Sequence, residues 1–229
     1  MNKNRPAGNR PHAGKAVVLL SGGLDSATTL YYAKDQGYEC HCLIFDYGQR
    51  HRREIRSAIA VAKKAKCPYW LVNIAMPWKG SALLDEKVSL PKNKSLTRAG
   101  IPVTYVPARN IIFLSFAASY AEAIGARDIF IGANAIDYSG YPDCRPDFIK
   151  SYQAMLAKGL KTGVEKKALR LQTPLIRLTK AQIIQLAMSL KTPLELTWSC
   201  YSGKTKPCGT CDSCRFRAKG FKEAGYEDR

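Results

Sequence analysis

The chain has 229 residues and a formal net charge of +18, from 36 basic and 18 acidic residues. This length suits one α/β domain with a substantial core, and no apolar run approaches the ~20 residues that span a bilayer. The basic residues 1–14 lack the apolar segment of a secretory signal, so we expect a disordered tail on a cytoplasmic protein. The basic residues are dispersed and no aromatic stripe lies among them, which favours anionic small molecules over direct RNA binding.

A glycine-containing loop is the first candidate site. Residues 21–26, with the sequence SGGLDS, lie between an apolar strand at 16–20 and a predicted helix at 27–34. Glycine permits unusual backbone angles, and a helix N-terminus offers free N–H groups to a phosphate. No lysine follows the glycines, so this loop differs from the common P-loop. We favour nucleotide binding over the simpler alternative, a tight turn in which Asp25 and Ser26 cap the helix.

Strand and helix patterns then alternate along the chain. Further strands are predicted at 39–45, 69–74, 128–132 and 169–172, and further helices at 54–66, 110–124, 148–158 and 180–190. This alternation is typical of a doubly wound parallel sheet, whose ligands bind beyond the carboxyl ends of the strands. Residues 76–102 are rich in Pro, Gly and Lys and predict a long irregular insertion, of the kind that forms lids or mobile loops.

The polar loop of residues 133–147 is the second candidate site. It carries three aspartates, two tyrosines, an arginine and Cys144 directly after a strand, which favours a substrate pocket. A turn-rich connector that caps the next helix is the alternative, and we expect Asp147 to be such a cap. Arg109 and Lys180 stand at predicted helix starts, and Lys180 either reaches a phosphate or is a solvated first-turn lysine. Thr179 and Gln182 fit a capping box there.

Four cysteines near the C-terminus have the spacing C-x7-C-x2-C-x2-C, at Cys200, Cys208, Cys211 and Cys214. Four thiolates at such spacing close a tetrahedral structural zinc site. An iron–sulfur cluster uses the same ligands, but the neighbouring lysines and arginines favour zinc by offsetting the negative charge of the site. Disulfides are the other alternative and are rare in the cytosol.

Together these segments resemble one family, the 7-cyano-7-deazaguanine synthases of the queuosine pathway. The resemblance covers residues 15–225 and is carried, besides the final cysteines, by residues 21–26, 45–51, 106–110, 137–146, 173–176 and 197–201. It implies an adenine nucleotide alpha hydrolase-like fold at 15–195 and a small zinc-bound helical segment at 196–229. One departure is Ala108, where the family usually carries glycine; it matters if that position needs a positive φ.

The resemblance also implies an activity. An ATP-dependent ligase would adenylate 7-carboxy-7-deazaguanine, let ammonia form the amide, and adenylate the amide to eliminate the nitrile. Mg²⁺ would accompany ATP, one structural Zn²⁺ would bind each chain, and the protein would be a homodimer. Asp25, Arg109 and Lys180 are the expected catalytic residues. The expected ATP-binding residues are Leu19, Leu20, Ser21, Gly22, Gly23, Leu24, Asp25, Ser26, Ala27, Thr28, Thr29, Phe45 and Asp46. The expected substrate-binding residues are Asp137, Tyr138, Ser139, Tyr141, Asp143 and Arg145.

Three other functions remain open from the residues alone. A tRNA-modifying enzyme with the same loop would use the positive charge, but usually needs an RNA-binding domain or a catalytic cysteine pair. A related ligase would join a deazaguanine to another acceptor. A zinc-stabilised nucleic-acid-binding module without catalysis would not bind ATP.

Overall fold

A computed structural model describes residues 14–93, 100–136 and 140–228. In this part of the chain, five strands form one sheet: β1 Lys15–Leu19, β2 Glu39–Asp46, β3 Tyr69–Asn73, β4 Asp128–Phe130 and β5 Arg170–Gln172. The order is β3-β2-β1-β4-β5 and every pairing is parallel. The doubly wound parallel sheet predicted from the sequence is therefore confirmed.

Seven α-helices accompany these strands: α1 Leu24–Asp35, α2 Arg53–Lys64, α3 Arg109–Ile124, α4 Pro146–Gly159, α5 Lys161–Val164, α6 Lys180–Ser189 and α7 Asp212–Ala224. Short 3₁₀ turns lie at Pro142–Cys144 and Leu194–Leu196. One predicted detail is wrong. We expected Asp147 to cap a helix starting at 148, but α4 starts at Pro146, where proline needs no N–H partner. Asp147 lies inside the first turn, and no side chain caps the helix.

The central strand β1 separates two apolar layers. Val17 and Leu19 pack towards α3, whereas Ala16 and Val18 pack with residues of α1 and α2. This alternation follows from the two-residue period of a strand buried on both faces. Because β1 pairs with both β2 and β4, the chain reverses its winding direction there, and a crevice opens at the carboxyl ends of β1 and β4.

The insertion (residues 76–102) contains no helix and no strand among its described residues. The guanidinium group of Arg50 holds it by donating to the carbonyl oxygens of Ala82, Glu86 and Val88, at 3.1–3.2 Å. Further on, Lys92 forms an antiparallel bridge with Cys211. The insertion is thus attached both to the start of α2 and to the cysteine-containing segment.

The C-terminal helix α7 packs against α6. Gly220 of α7 permits this contact, because a Cβ there would lie 2.3 Å from the Cγ of Lys180. Phe221 joins Ile183 and Ile184 of α6 in a separate small core. Within the described ranges, no helix has the length and apolar character needed to cross a membrane.

Candidate active site

The SGGLDS loop (residues 21–26) connects β1 to α1, and its hydroxyl groups organise the loop itself. Ser26 Oγ accepts from the Ser21 N–H at 3.2 Å and lies 3.0 Å from Ser21 Oγ. The Gly23 N–H donates to Ser21 Oγ at 3.3 Å. Gly23 is the N-cap of α1 and no side chain caps the helix. The alternative in which Asp25 and Ser26 serve as caps is therefore not observed.

Gly22 packs the loop directly on α2. Its φ is +84°, and a Cβ would lie 2.2 Å from the carbonyl oxygen of Glu54 and 2.6 Å from the nitrogen of Ala58. Its carbonyl oxygen accepts from the Trp198 N–H at 2.9 Å. Only glycine satisfies both the backbone angle and the close approach.

Lys180 and Asp25 form a bidentate ion pair. The Lys180 Nζ lies 2.8 Å from each carboxylate oxygen of Asp25. Lys180 is only 8% exposed, so the alternative of a solvated first-turn lysine is wrong. The predicted capping box is confirmed: Thr179 Oγ1 accepts from the Gln182 N–H, and Gln182 Oε1 accepts from the Thr179 N–H. This box fixes the first turn of α6 and with it the lysine.

A cavity of about 250 Å³ opens beside this pair at the carboxyl ends of β1, β2 and β4; we call it the central cavity. Eleven of the residues that were predicted to bind the nucleotide, to bind the substrate or to act in catalysis line this cavity: Leu19, Leu20, Ser21, Gly23, Leu24, Asp25, Ser26, Phe45, Arg109, Tyr141 and Lys180. The ring of Phe45 stacks on Phe113, with centroids 4.0 Å apart and planes 5° from parallel. The cavity therefore has a polar side at the SGGLDS loop and a flat aromatic side at β2.

Five residues predicted to bind ATP do not line the central cavity: Gly22, Ala27, Thr28, Thr29 and Asp46. Thr28 and Thr29 donate their hydroxyls to the carbonyl oxygens of Leu24 and Asp25 within α1, at 2.8 and 2.9 Å. Asp46 pairs with Arg52 at 2.9 Å. These side chains shape the surrounding helix and loop, and the geometry does not support direct donation from the two threonines to a ligand.

The predicted substrate loop is only partly described. Asp137, Tyr138 and Ser139 lie outside the described residues. Tyr141 lines the cavity, with its hydroxyl 2.7 Å from Thr104 Oγ1.

The two charged residues that follow in this loop do not line the cavity. Asp143 is buried and its carboxylate accepts from the Asn110 N–H at 3.1 Å, so it caps the start of α3. Arg145 is exposed at the N-cap position of α4. Asp143, one of the two carboxylates predicted for substrate recognition, thus positions Asn110, which does line the cavity.

Arg109 enters the cavity from the first residue of α3. Its guanidinium donates to the Tyr47 hydroxyl at 3.4 Å and lies 5.9 Å from the centre of that ring. The preceding Ala108 has φ +55°. The position where the family usually carries glycine thus does require a left-handed backbone, and this chain holds an alanine in it.

Cys144 lies in the cavity wall but is not a prepared nucleophile. Burial and the nearby Asp143 carboxylate raise the pKa of its thiol to about 11. Asn110 Nδ2 lies 3.3 Å from the sulfur. A thiol with this pKa is protonated at neutral pH, which favours packing or substrate contact over covalent chemistry.

Among the cavity residues that were not predicted from the sequence are Tyr47, Glu54 and Trp198. Burial raises the pKa of the Glu54 carboxyl to about 7, although the charge of Arg109 acts in the opposite direction. The guanidinium group of Arg53 lies over the ring of Trp198, at 4.6 Å from its centre. Tyr47 and Glu54 follow the end of β2, and that position was the signal that could have identified them.

The four predicted cysteine ligands come together in one cluster. The Sγ atoms of Cys200, Cys208, Cys211 and Cys214 all lie within 4.8 Å of one another. A tetrahedral site with Zn–S bonds of about 2.3 Å places its sulfurs about 3.8 Å apart, so the cluster fits zinc. Backbone N–H groups point at the sulfurs: Ser202 and Cys208 donate to Cys200, each at 3.3 Å. Such donors stabilise thiolates, so the cluster is suited to hold a metal ion such as zinc.

The comparisons with known proteins agree with this site. The family model for queuosine biosynthesis protein QueC matches residues 15–225. The chain belongs to the QueC family. The family predicted from the motifs is therefore confirmed.

Two curated relatives are close in sequence. The 7-cyano-7-deazaguanine synthase of Nostoc punctiforme is 56% identical over 218 residues, covering 93% of this chain and 97% of the relative. The protein of that name from Thermoplasma volcanium is 50% identical over 215 residues, covering 93% and 89%. Among solved structures, an NMN synthetase from Francisella tularensis matches with a TM-score of 0.50 and 15% identity, over 95% of this chain and 79% of that one. This last likeness shows only a shared fold.

Proposed function

We propose that the chain is a 7-cyano-7-deazaguanine synthase, an ATP-dependent ligase that converts 7-carboxy-7-deazaguanine and ammonia into the nitrile. The observation that carries the proposal is the meeting of the SGGLDS loop, Arg109 and the Asp25–Lys180 pair in one cavity. The sequence of the chain also supports the proposal, because it is 56% identical to the 7-cyano-7-deazaguanine synthase of Nostoc punctiforme. A carboxylate is a poor electrophile, and adenylation gives it a leaving group, which is the chemistry that such a cavity serves.

ATP is proposed to bind with its phosphates at the SGGLDS loop. Residues 23–26 at the start of α1 line the cavity there, and a helix N-terminus favours anions. The adenine would lie against the aromatic side at Phe45. This orientation puts the α-phosphate between the loop and the wall formed by Arg109 and Tyr141, where the second substrate must approach.

The Asp25–Lys180 pair is proposed to open when ATP arrives. The Lys180 ammonium would turn from Asp25 to the phosphates, and the freed carboxylate would hold Mg²⁺, which prefers oxygen ligands. Arg109 would stabilise the charge that develops on the phosphates as the α–β bond breaks. In this arrangement the ion pair neutralises both groups until the nucleotide supplies new partners.

The flat deazaguanine is proposed to bind at the side of the cavity lined by Tyr141, Asn110 and Cys144. Polar groups of residues 137–139 would complete its recognition. Leu83 of the insertion also lines the cavity, so the insertion is placed to exclude water, which would otherwise hydrolyse an adenylate.

The remaining partners are proposals of the same kind. Zn²⁺ would occupy the four-cysteine cluster in a structural role, since four protein ligands leave no open position. A cytoplasmic homodimer would form through the edge strand β3 and the adjacent face of α3. Trp70 is 62% exposed there and Phe116 is 43% exposed, and exposed large apolar side chains are what such an interface would cover.

The test is an assay of the full-length protein with 7-carboxy-7-deazaguanine, ATP, Mg²⁺ and ammonium, followed by mass spectrometry. We expect loss of the acid and appearance of the amide and then the nitrile. Asp25→Ala should abolish this turnover and leave bound zinc unchanged. No consumption of the acid by the unaltered protein would overturn the proposed function, and full activity in Asp25→Ala would overturn the assignment of the loop.

A further inference from the structure

Glu54 is the carboxylate of the central cavity that neither the motifs nor the comparisons assign. It lies in the first turn of α2 and lines the cavity. Its carbonyl oxygen lies beside Gly22 of the SGGLDS loop, as the 2.2 Å approach to a Cβ built at Gly22 shows. Glu54 is therefore held at the edge of the proposed phosphate site by the packing of the loop on α2.

Glu54 differs from the other acidic residue of the cavity. Asp25 is held by Lys180, whereas no hydrogen bond or ion pair engages the Glu54 side chain within residues 14–93, 100–136 and 140–228. Glu54 is partly buried, and a carboxylate held there without a hydrogen-bonding partner is costly to keep charged. A carboxylate without a partner inside a cavity is a candidate for a role in the reaction.

The surroundings of Glu54 combine burial with one facing cation. Arg109 of α3 is the charge that acts on it, and Tyr47 at the end of β2 is the other titratable group against it. Asp25 and Lys180 line the same cavity as a neutral pair. Burial outweighs the effect of Arg109 and brings the pKa of Glu54 to about 7, where a general base works well at neutral pH.

We propose that Glu54 is the general base that removes protons from nitrogen during the ligation. The proposal rests on the proposed function, which supplies ATP, ammonia and the acid. In the first half-reaction the lone pair of ammonia forms the C–N bond to the adenylated carboxyl carbon. The bond from that carbon to the phosphate oxygen breaks, its electron pair leaves with AMP, and one N–H proton passes to Glu54. The products are the amide, AMP and protonated Glu54, which returns the proton to water.

The same carboxylate serves the second half-reaction. The adenylated amide is a cation, which gives one N–H proton to water and becomes an imidate with a single N–H bond. Glu54 takes that proton, the electron pair of the N–H bond forms the third C–N bond, and the C–O bond breaks with its pair leaving on AMP. Both steps thus require a base beside the nitrogen atom that came from ammonia. A single carboxylate in a fixed position can serve both.

The experiment separates adenylation from ligation. In the full-length protein with Mg²⁺ and 7-carboxy-7-deazaguanine, exchange of labelled pyrophosphate into ATP without ammonia measures adenylation. Amide and nitrile formation with ammonium measures ligation. We expect Glu54→Gln to retain exchange and to lose about 10²–10⁴-fold in ligation rate. Hydroxylamine, a stronger nucleophile than ammonia, should trap the adenylate as the hydroxamate in Glu54→Gln, which gives a second measure that adenylation persists. Glu54→Asp should recover part of the ligation rate.

The pH profile distinguishes a base from a residue that only shapes the cavity. The ligation rate of the unaltered protein should rise through about pH 7, and this limb should be absent in Glu54→Gln. Glu165→Gln is the matched control, because this glutamate is exposed and does not line the cavity; its profile should equal that of the unaltered protein.

Three results would overturn the proposal. Ligation by Glu54→Gln at nearly the unaltered rate, with the same pH limb, excludes a base at this position. Loss of both pyrophosphate exchange and ligation in Glu54→Gln would show that Glu54 maintains the shape of the nucleotide site and is not the base. Absence of exchange and ligation in the unaltered protein removes the proposed function itself, and this outcome is recognised without any variant.

Discussion

The ammonium of Lys180 reaches across 155 residues of sequence to lie 2.8 Å from both oxygens of Asp25. The pair joins the first turns of α1 and α6, and the chain packs α7 over it through Gly220. An ion pair so enclosed is costly to break from one side, since the remaining charge is left without a partner.

Lys180→Met should therefore lower the free energy of unfolding by up to about 3 kcal/mol, and should also reduce ATP-dependent turnover. Urea titration measures the first effect and the ligation assay the second. Lys158→Met is the control, because Lys158 is exposed near the end of α4 and its change should stay within about 0.5 kcal/mol. Equal stability of the two variants would show that the pair contributes nothing to folding.

Gly22→Ala should displace the SGGLDS loop, because the new Cβ overlaps the Glu54 carbonyl oxygen. We expect a loss of about 10²-fold in kcat/KM for ATP, the effect of misplacing reacting groups by about 1 Å. Gly125→Ala is the matched control: Gly125 has a similar φ of +70° but nothing within 4 Å of its Cβ position. The control should lose about 1 kcal/mol of stability and keep its activity; a loss of activity in both would point to backbone strain alone.

Removal of the metal from the four-cysteine cluster should loosen the insertion as well as the C-terminal segment. Lys92 bridges Cys211, and the Asn93 N–H donates to the Thr210 carbonyl at 3.0 Å. In Cys208→Ser, amide hydrogen exchange should increase at residues 81–93 as well as at 200–214. Cys67→Ser, outside the cluster, is the control. Unchanged exchange in residues 81–93 would show that the insertion is held by Arg50 alone.

Ala108→Gly should stabilise the protein by up to about 1 kcal/mol, because glycine removes the cost of φ +55° at the price of some backbone entropy. Thermal unfolding provides the measurement. Ala123→Gly, at an exposed position inside α3, should have the opposite effect and destabilise by about 0.5–1 kcal/mol. If both variants destabilise equally, the left-handed backbone at Ala108 carries no strain.

Glu54 should also affect stability, independently of any activity. Its pKa rises from 4.5 to about 7 on folding, so the folded protein binds this proton more tightly than the unfolded chain. The carboxyl therefore lowers the free energy of unfolding as pH rises from about 4.5 to about 7. Glu54→Gln should lack this contribution, and its stability relative to the unaltered protein should increase across that range and then level off. A constant difference would mean that the carboxyl is solvated.

Local sequence patterns were enough for the parts of the fold that depend on neighbours in the chain. The order of strands and helices, the SGGLDS turn after β1, the capping box at Thr179 and the cysteine cluster all follow from residues a few positions apart. Lys180 was correctly placed at a helix start, but its pairing with Asp25 depends on how α6 meets α1. The predicted domain boundaries, the homodimer and the roles of the individual site residues stay predictions.

The differences between the expected and the observed contacts have two physical causes: packing between distant segments, and hydrogen bonds inside a helix. Asp143 lies in a polar loop of the kind that binds ligands. The packing of its turn against α3 nevertheless makes it a hydrogen-bond partner of Asn110. Thr28 and Thr29 stand next to the loop in sequence, but the helical turn directs their hydroxyls to carbonyls of α1. The position of Glu54 after the end of β2 was its only sequence signal. Its burial could not be predicted, because it results from the approach of the loop, α3 and the C-terminal segment.

The wall contributed by Trp198, Ser199, Tyr201, Ser213 and Arg217 has a consequence for synthesis on the ribosome. The SGGLDS loop leaves the exit tunnel early, whereas these wall residues emerge near the end of translation. A nascent chain that has already formed β1 and α1 therefore still lacks one side of its cavity, and a chain interrupted before residue 198 cannot complete it. The capacity to hold ATP productively should arise abruptly at the end of synthesis, and binding of a fluorescent ATP analogue to stalled chains of increasing length would reveal the length at which it appears.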